Sequence, residues 1–156
     1  MQPEIADWLQ NHYFSVSHPS SPNNTGMYPL ILACQQGRDD IVGFLIAHGA
    51  DLSVTDQYGN NALWAACYAQ DLASIDALIA AGIDIDYQNA ASGATALIFA
   101  ASSGREQAVE RLLAAGANPD LKTHDDFSAL DLASTRKILK LLRTPSRPLH
   151  PHLSGA

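Results

Sequence analysis

At 156 residues the chain has the length of one domain, and its 47% hydrophobic content is enough for a folded core. The net charge is −7: residues 1–131 hold all 16 acidic side chains against four cations, while residues 132–156 hold five cations and no acid. An acidic body repels nucleic-acid phosphates, no apolar stretch approaches the ~20 residues of a membrane span, and two cysteines make no disulfide framework. These features argue against nucleic-acid and membrane partners and for a reducing, cytoplasmic setting.

The first predicted element is a helix in EIADWLQN, where Ile5, Trp8 and Leu9 fall on one face. The opening MQPEIADWLQNHYF has neither the basic start nor the long apolar run of a secretory signal. SVSHPSSPNNT, residues 15–25, is a Ser/Pro/Asn linker. Residues 1–22 are expected to form a capping helix and linker that cover the core of the adjoining segment.

From residue 23 the chain repeats itself. GMYPLILACQQGRDDIVGFLIAHGAD (26–51), GNNALWAACYAQDLASIDALIAAGID (59–84) and GATALIFAASSGREQAVERLLAAGAN (93–118) share one pattern. The opening glycines Gly26, Gly59 and Gly93 are 33 and 34 residues apart, as are the closing Gly49, Gly82 and Gly116. A fourth, shortened copy, DFSALDLASTRKILKLLR, has Asp126 where the glycine would fall. Such a period indicates stacked supersecondary units.

The third copy predicts the unit. Thr95 is a good N-cap for a helix from Ala96, whose Leu97, Ala100 and Ala101 share a face. Gly104 ends that helix, as Gly37 does in the first copy. A second helix runs from about Arg105 to Ala115, with Ala108, Val109, Leu112 and Leu113 as its apolar stripe. A polar loop comes next. Helices this short are marginal alone, so they must bury their stripes by stacking.

The pattern resembles the ankyrin repeat. The family's Thr-Pro-Leu-His box stands here as YPLI (28–31), NALW (61–64), TALI (95–98) and SALD (128–131), and its Gly-Ala-Asp as GAD, GID and GAN. The resemblance covers residues 23–143. It implies an all-α ankyrin-repeat solenoid: stacked helix-turn-helix pairs with protruding hairpin-like loops. The repeats span about 23–55, 56–88, 89–122 and a truncated cap at 123–143, followed by a disordered tail at 144–156. Three departures stand out. The box histidine is absent from every copy, Ser92 is a one-residue insertion before Gly93, and the fourth copy lacks about three residues between its helices.

Candidate chemistry is sparse. Cys34 and Cys67 hold the same position in adjacent repeats; helix packing sets them ~10 Å apart, beyond the ~7 Å Cα separation of a disulfide. They are expected to be free, buried thiols. His48 can cap the end of its helix. The loop aspartates Asp51, Asp56, Asp84, Asp86, Asp120, Asp125 and Asp126 do not follow the EF-hand spacing and suit turns. His150 and His152 could chelate a metal weakly. No phosphate loop, dinucleotide fingerprint or nucleophile elbow is present. No cofactor is expected.

The resemblance implies a non-catalytic protein-protein interaction module: an adaptor, an inhibitor or an immunity-type binder. The alternative is a metal-dependent binder or enzyme built on the aspartate loops or tail histidines. Family contact positions, beside each opening glycine and after each Ala-Ala pair, fall here on Met27, Gln35, Gln36, Gln57, Tyr58, Asn60, Tyr68, Ser102, Ser103, Asp125 and Phe127. Trp64, in the box-histidine place, lies close by; it either joins them or fills the core where the histidine is missing. Tyr58, Trp64 and Tyr68 form an aromatic centre of the kind that anchors interfaces. The negative loops favour a protein partner with a basic surface, and the capped ends favour a monomer.

Overall fold

The computed structural model describes residues 1–143; the predicted tail at 144–156, with His150 and His152, lies outside the described residues. Regular structure among the described residues is helical, apart from two isolated antiparallel bridges, Thr55 with Asn61 and Lys122 with Ser128. Packing divides at Ile83 into two compact units, Met1–Ile83 and a second beginning at Asp84. The length alone suggested one domain with one core. Repeat stacks bury surface only between neighbours, so no single centre is required.

The first unit holds α1 (Pro3–Asn11), α2 (Pro29–Gln35), α3 (Asp39–Ala47), α4 (Ala62–Ala69) and α5 (Leu72–Ala80). Helices α2 and α3 pair, as do α4 and α5; α2 then stacks on α4 and α3 on α5. Leu30, Ile31, Ile41, Val42, Leu45, Leu63, Ile75 and Leu78 form the core, and alanines at 33, 62 and 66 let the helices approach closely. Helix α1 buries Ile5, Trp8 and Leu9. It is tied to α2 by the Trp8 indole, whose Nε1–H donates to Gln36 Oε1 at 2.8 Å. His12 and His48 end α1 and α3 in the same way, each with Nδ1–H donating to the carbonyl four residues back at 2.8 Å.

The second unit holds α6 (Ala96–Ser102), α7 (Glu106–Ala114), α8 (Ala129–Leu132) and α9 (Arg136–Arg143). Helix α6 packs on α7 and α8, and α9 on α7 and α8. The missing residues of the last copy leave α8 a single turn, closed by a capping box between Ser128 and Asp131. The connection to α9 is instead clipped to its neighbour. Ser134 donates from N and Oγ to Ala101 O, both at 3.1 Å, and Thr135 Oγ donates to Glu106 Oε2 at 2.8 Å. Ile138 is fully buried beneath this clip.

The box position starts each first helix, by different means. Asn61, Thr95 and Ser128 accept from the backbone N–H three residues on, while Tyr28 has no side-chain cap and relies on Pro29. The first helix of the second copy ends at Gln70, which takes the left-handed conformation (φ 57°) held by Gly37 and Gly104 in the other copies.

Candidate partner-binding site

The turns of the loops follow one register. Backbone N–H groups of Asn23 and Asp56 donate to Met27 O and Asn60 O in the first unit; Thr123 N donates to Phe127 O in the second. In each case the first residue's side chain also accepts from the loop backbone. Asn23 Oδ1 takes Thr25 N and Met27 N, Asp56 Oδ1 takes Tyr58 N (2.9 Å) and Asn60 N (3.0 Å), and Thr123 Oγ takes Phe127 N. These side chains build the turns, as expected of short polar groups. Asp51 and Asp84 do the same for Ser53 and Asp86. Asp86 reaches further, accepting from Asn118 N at 2.8 Å.

In the third loop the Ser92 insertion lengthens the turn, so Asn89 N donates to Ala94 O five residues on, and Asn89 Oδ1 takes Ala91 N and Ser92 N. The extra residue's carbonyl accepts from His124 N at 2.8 Å, and His124 Nδ1 lies 3.2 Å from Ala91 O. Gly93 lies so close that a Cβ there would stand 2.7 Å from the His124 ring.

In the first unit the structure gathers several of the predicted contact residues. Gln35, Asn60, Trp64 and Tyr68 line one cavity of about 280 Å³, together with Asp56 and Ala65. Trp64 is half-buried. Tyr68 and Tyr58 remain 57% and 69% exposed. Gln57 is exposed on the same turn, and Met27 is half-buried on the preceding one. Gln36 is occupied differently. Besides accepting from Trp8, its amide nitrogen lies 3.3 Å from His12 Nε2, so this side chain holds α1. Sequence alone did not place Asp56 or Ala65 at the site. Asp56 was visible there only as a turn former; its register with Asn23 and Asn89 is the signal that an acid stands where an amide would serve.

In the second unit Phe127 is 47% exposed and Asp125 is exposed beside it. The Ser102 and Ser103 hydroxyls fold back onto Phe99 O at 3.1 and 2.6 Å. These four belong to a separate compact unit from the cavity.

Electrostatics separate the units as well. Residues 1–83 carry eight carboxylates and a single guanidinium, a net of −7; residues 84–156 carry eight acids and eight cations, a net of zero. That one guanidinium, Arg38, is engaged by Asp40 at 3.0 Å, which holds the Asp40 carboxyl below the usual carboxylate range. Cys34 and Cys67 are free and buried. Burial first, then the nearby Asp71 charge, push the Cys34 thiol far above its ordinary value, so it stays protonated and inert at neutral pH. Among the described residues no group of three or more His, Cys, Asp or Glu is placed to hold a metal ion, and no helix is long and apolar enough to cross a membrane.

A family profile described as "Ankyrin repeats (3 copies)" matches residues 2–89 and 74–147. The chain belongs to the ankyrin-repeat family. Ankyrin repeats generally mediate protein-protein interactions and are a typically non-catalytic module. Similar curated proteins include a mitochondrial disaggregase of Bos taurus, 31% identical over 123 residues that cover 76% of this chain and 18% of that protein. Protein PhlB of Serratia liquefaciens is 38% identical over 95 residues, covering 61% and 42%. The B-cell lymphoma 3 protein homolog of Mus musculus is 30% identical over 130 residues, covering 81% and 29%. The ankyrin-repeat chain spans less than half the length of each of these relatives.

Proposed function

We propose that this chain is a non-catalytic protein-binding module, an adaptor, inhibitor or immunity-type binder, that acts as a monomer in the cytoplasm. Its repeats run over about 23–55, 56–88, 89–122 and 123–143. Its contact surface in the first unit centres on Trp64 and Tyr68, with Tyr58 on the adjoining turn and Met27, Gln35, Gln57 and Asn60 around them. Ser102, Ser103, Asp125 and Phe127 are contacts of the second unit. The observation that carries the reading is the coincidence of exposed tyrosines with a cavity at positions the family varies. Aromatic rings beside a concavity supply large contact area at low entropic cost. The charge of the first unit favours a partner with a basic surface. A metal-dependent reading would need the loop carboxylates to converge, and Asp51, Asp56 and Asp84 instead turn inward on their own loops.

The test is an affinity capture from the native host's lysate. Wild type is compared with Tyr58→Ala/Tyr68→Ala, both verified as folded by circular dichroism. A protein held by wild type and lost by the double variant is the expected outcome. Equal retention by both would move the site elsewhere, and no retained protein would overturn the binding reading.

A further inference from the structure

Helix α9 carries its charge on one side. Arg136, Lys140 and Arg143 recur at i, i+4 and i+7, so they form one exposed ridge about 10 Å long, and Ile138 is buried on the opposite side. The neighbouring carboxylates engage other groups. Glu106 Oε2 accepts from Thr135 at 2.8 Å, Glu110 faces Lys137 at 3.4 Å, and Asp131 closes the capping box with Ser128. Arg136 and Arg143 form no ion pair among the described residues.

Local energetics explain only half of this ridge. Lys140 and Arg143, in the last turn, favour the helix dipole. Arg136 stands in the first turn, where the dipole opposes a cation, and like charges three and four residues apart repel. An anionic partner would relieve both effects. Residues 84–131 of the same unit carry eight carboxylates against three cations, a net of −5, while residues 132–156 carry five cations and no acid. A long polyanion or an anionic membrane would run past the ridge onto that negative surface and be repelled. A short acidic segment would meet the ridge alone.

Going beyond the contact surface proposed above, we infer that α9 docks a short acidic segment of a protein partner. Arg136 and Arg143 take its carboxylates, each fork able to hold one through two parallel N–H···O bonds, and Lys140 lies between them as a point charge. Acids at alternate positions of an extended segment stand about 7 Å apart, so two of them fit within the length of the ridge. The chain then presents an acidic unit and a basic helix to different partners, which favours the adaptor among the roles proposed above.

The experiment titrates ¹⁵N-labelled full-length protein with the peptide acetyl-Glu-Ala-Glu-Ala-Glu-amide at low salt. The expected result is a saturable shift of the backbone N–H signals of 136–143, with those of α2–α5 unmoved and the response weakening as salt screens the charges. Arg136→Gln/Arg143→Gln keeps good helix formers and leaves Ile138 in place; it should bind the peptide about fivefold more weakly. Lys122→Gln removes a cation of the same unit that lies outside α9 and pairs with Asp126, and it should leave the affinity unchanged. Unshifted α9 signals, or an equal loss in the two variants, overturns the inference. Equally tight binding to phosphatidylserine vesicles also overturns it, as do α9 shifts that follow protein concentration without peptide, which would assign the ridge to a second copy. Because the probe does not involve Tyr58 or Tyr68, those failures leave the lysate capture standing; a capture that retains nothing is the separate failure of the binding reading.

Discussion

The two compact units share one 33-residue cycle but use their variable positions in opposite ways. The first leaves Tyr58 and Tyr68 in solvent, opens a cavity beside Trp64 and concentrates the whole net charge of the chain. In the second, loops and connections hold one another: His124 N on Ser92 O, Asn118 N on Asp86, the Gln88 amide on Lys122 O, Ser134 on Ala101 O. Polar groups committed to neighbouring loops add rigidity, whereas exposed rings and a net negative charge add reach. A repeat scaffold keeps its buried stripes and lets the exposed positions vary, so one cycle can serve both ends.

Removing the Trp8 anchor should break the first unit most severely. Trp8→Ala deletes a ring that is only 5% exposed and also abandons Gln36; a loss of about 3–5 kcal/mol is expected in urea unfolding. Hydrogen exchange should show the opening concentrated before residue 83, and protection lost equally in the α6–α9 helices would contradict the division into units.

Glycine substitution in the loops sharpens the contrast. Gly26 and Gly93 hold the same left-handed turn position, φ 82° and 78°, but a Cβ meets nothing at Gly26 and crowds the His124 ring and backbone at Gly93. Gly26→Ala should cost about 1–2 kcal/mol from conformation alone. Gly93→Ala should cost about 2–4 kcal/mol, because the His124 contact must also give way. Equal melting shifts for the two would show that the interlock contributes nothing.

The fourth loop offers the opposite experiment. Asp126 occupies that glycine position at φ 72°, and its own ion pair with Lys122 is long and exposed at 3.7 Å. Asp126→Gly should stabilise the second unit by up to about 1 kcal/mol, relief of left-handed strain outweighing the weak pair. A lowered melting temperature would contradict this.

The smallest effect is on acidification. Asp51 in the first unit and Asp131 in the second are fully exposed carboxylates held below their ordinary value, Asp51 by the Ser53 hydroxyl and backbone, Asp131 by the Ser128 backbone and hydroxyl. Depressed values mean that each contribution is complete above the unfolded carboxyl value near ~4 and is lost as pH falls through the folded one. Carboxyl-carbon NMR titration should place both midpoints below those of a model peptide. An ordinary midpoint for Asp131 would mean that the capping box does not form in solution.

Much of the fold is local in origin and was therefore legible in the sequence. The first helix of the third copy begins at Ala96 as expected, because Thr95 caps it with its own hydroxyl, and α7 falls within a residue of its expected bounds at either end. Cys34 and Cys67 are free and buried, in keeping with the alanine-type positions they fill. The Ser92 insertion was visible by counting, but its bond to His124 was not, since that partner lies a full repeat away. Gln70 was missed as a helix terminator because a glycine search cannot see a left-handed glutamine. The Trp8 bond to Gln36 was out of reach in the same way, since its partners lie 28 residues apart.

The site divides along the same line. Periodicity, caps and turn formers arise from interactions within a few residues, so the sequence by itself determined the family, the helix pairs and the positions open to variation. Tertiary packing alone decided which of those positions meet. It brought Gln35 from one repeat beside Asp56, Asn60, Trp64 and Tyr68 of the next. A cavity is a relation between side chains distant in sequence, and its shape exists only after the stripes beneath it have found their partners.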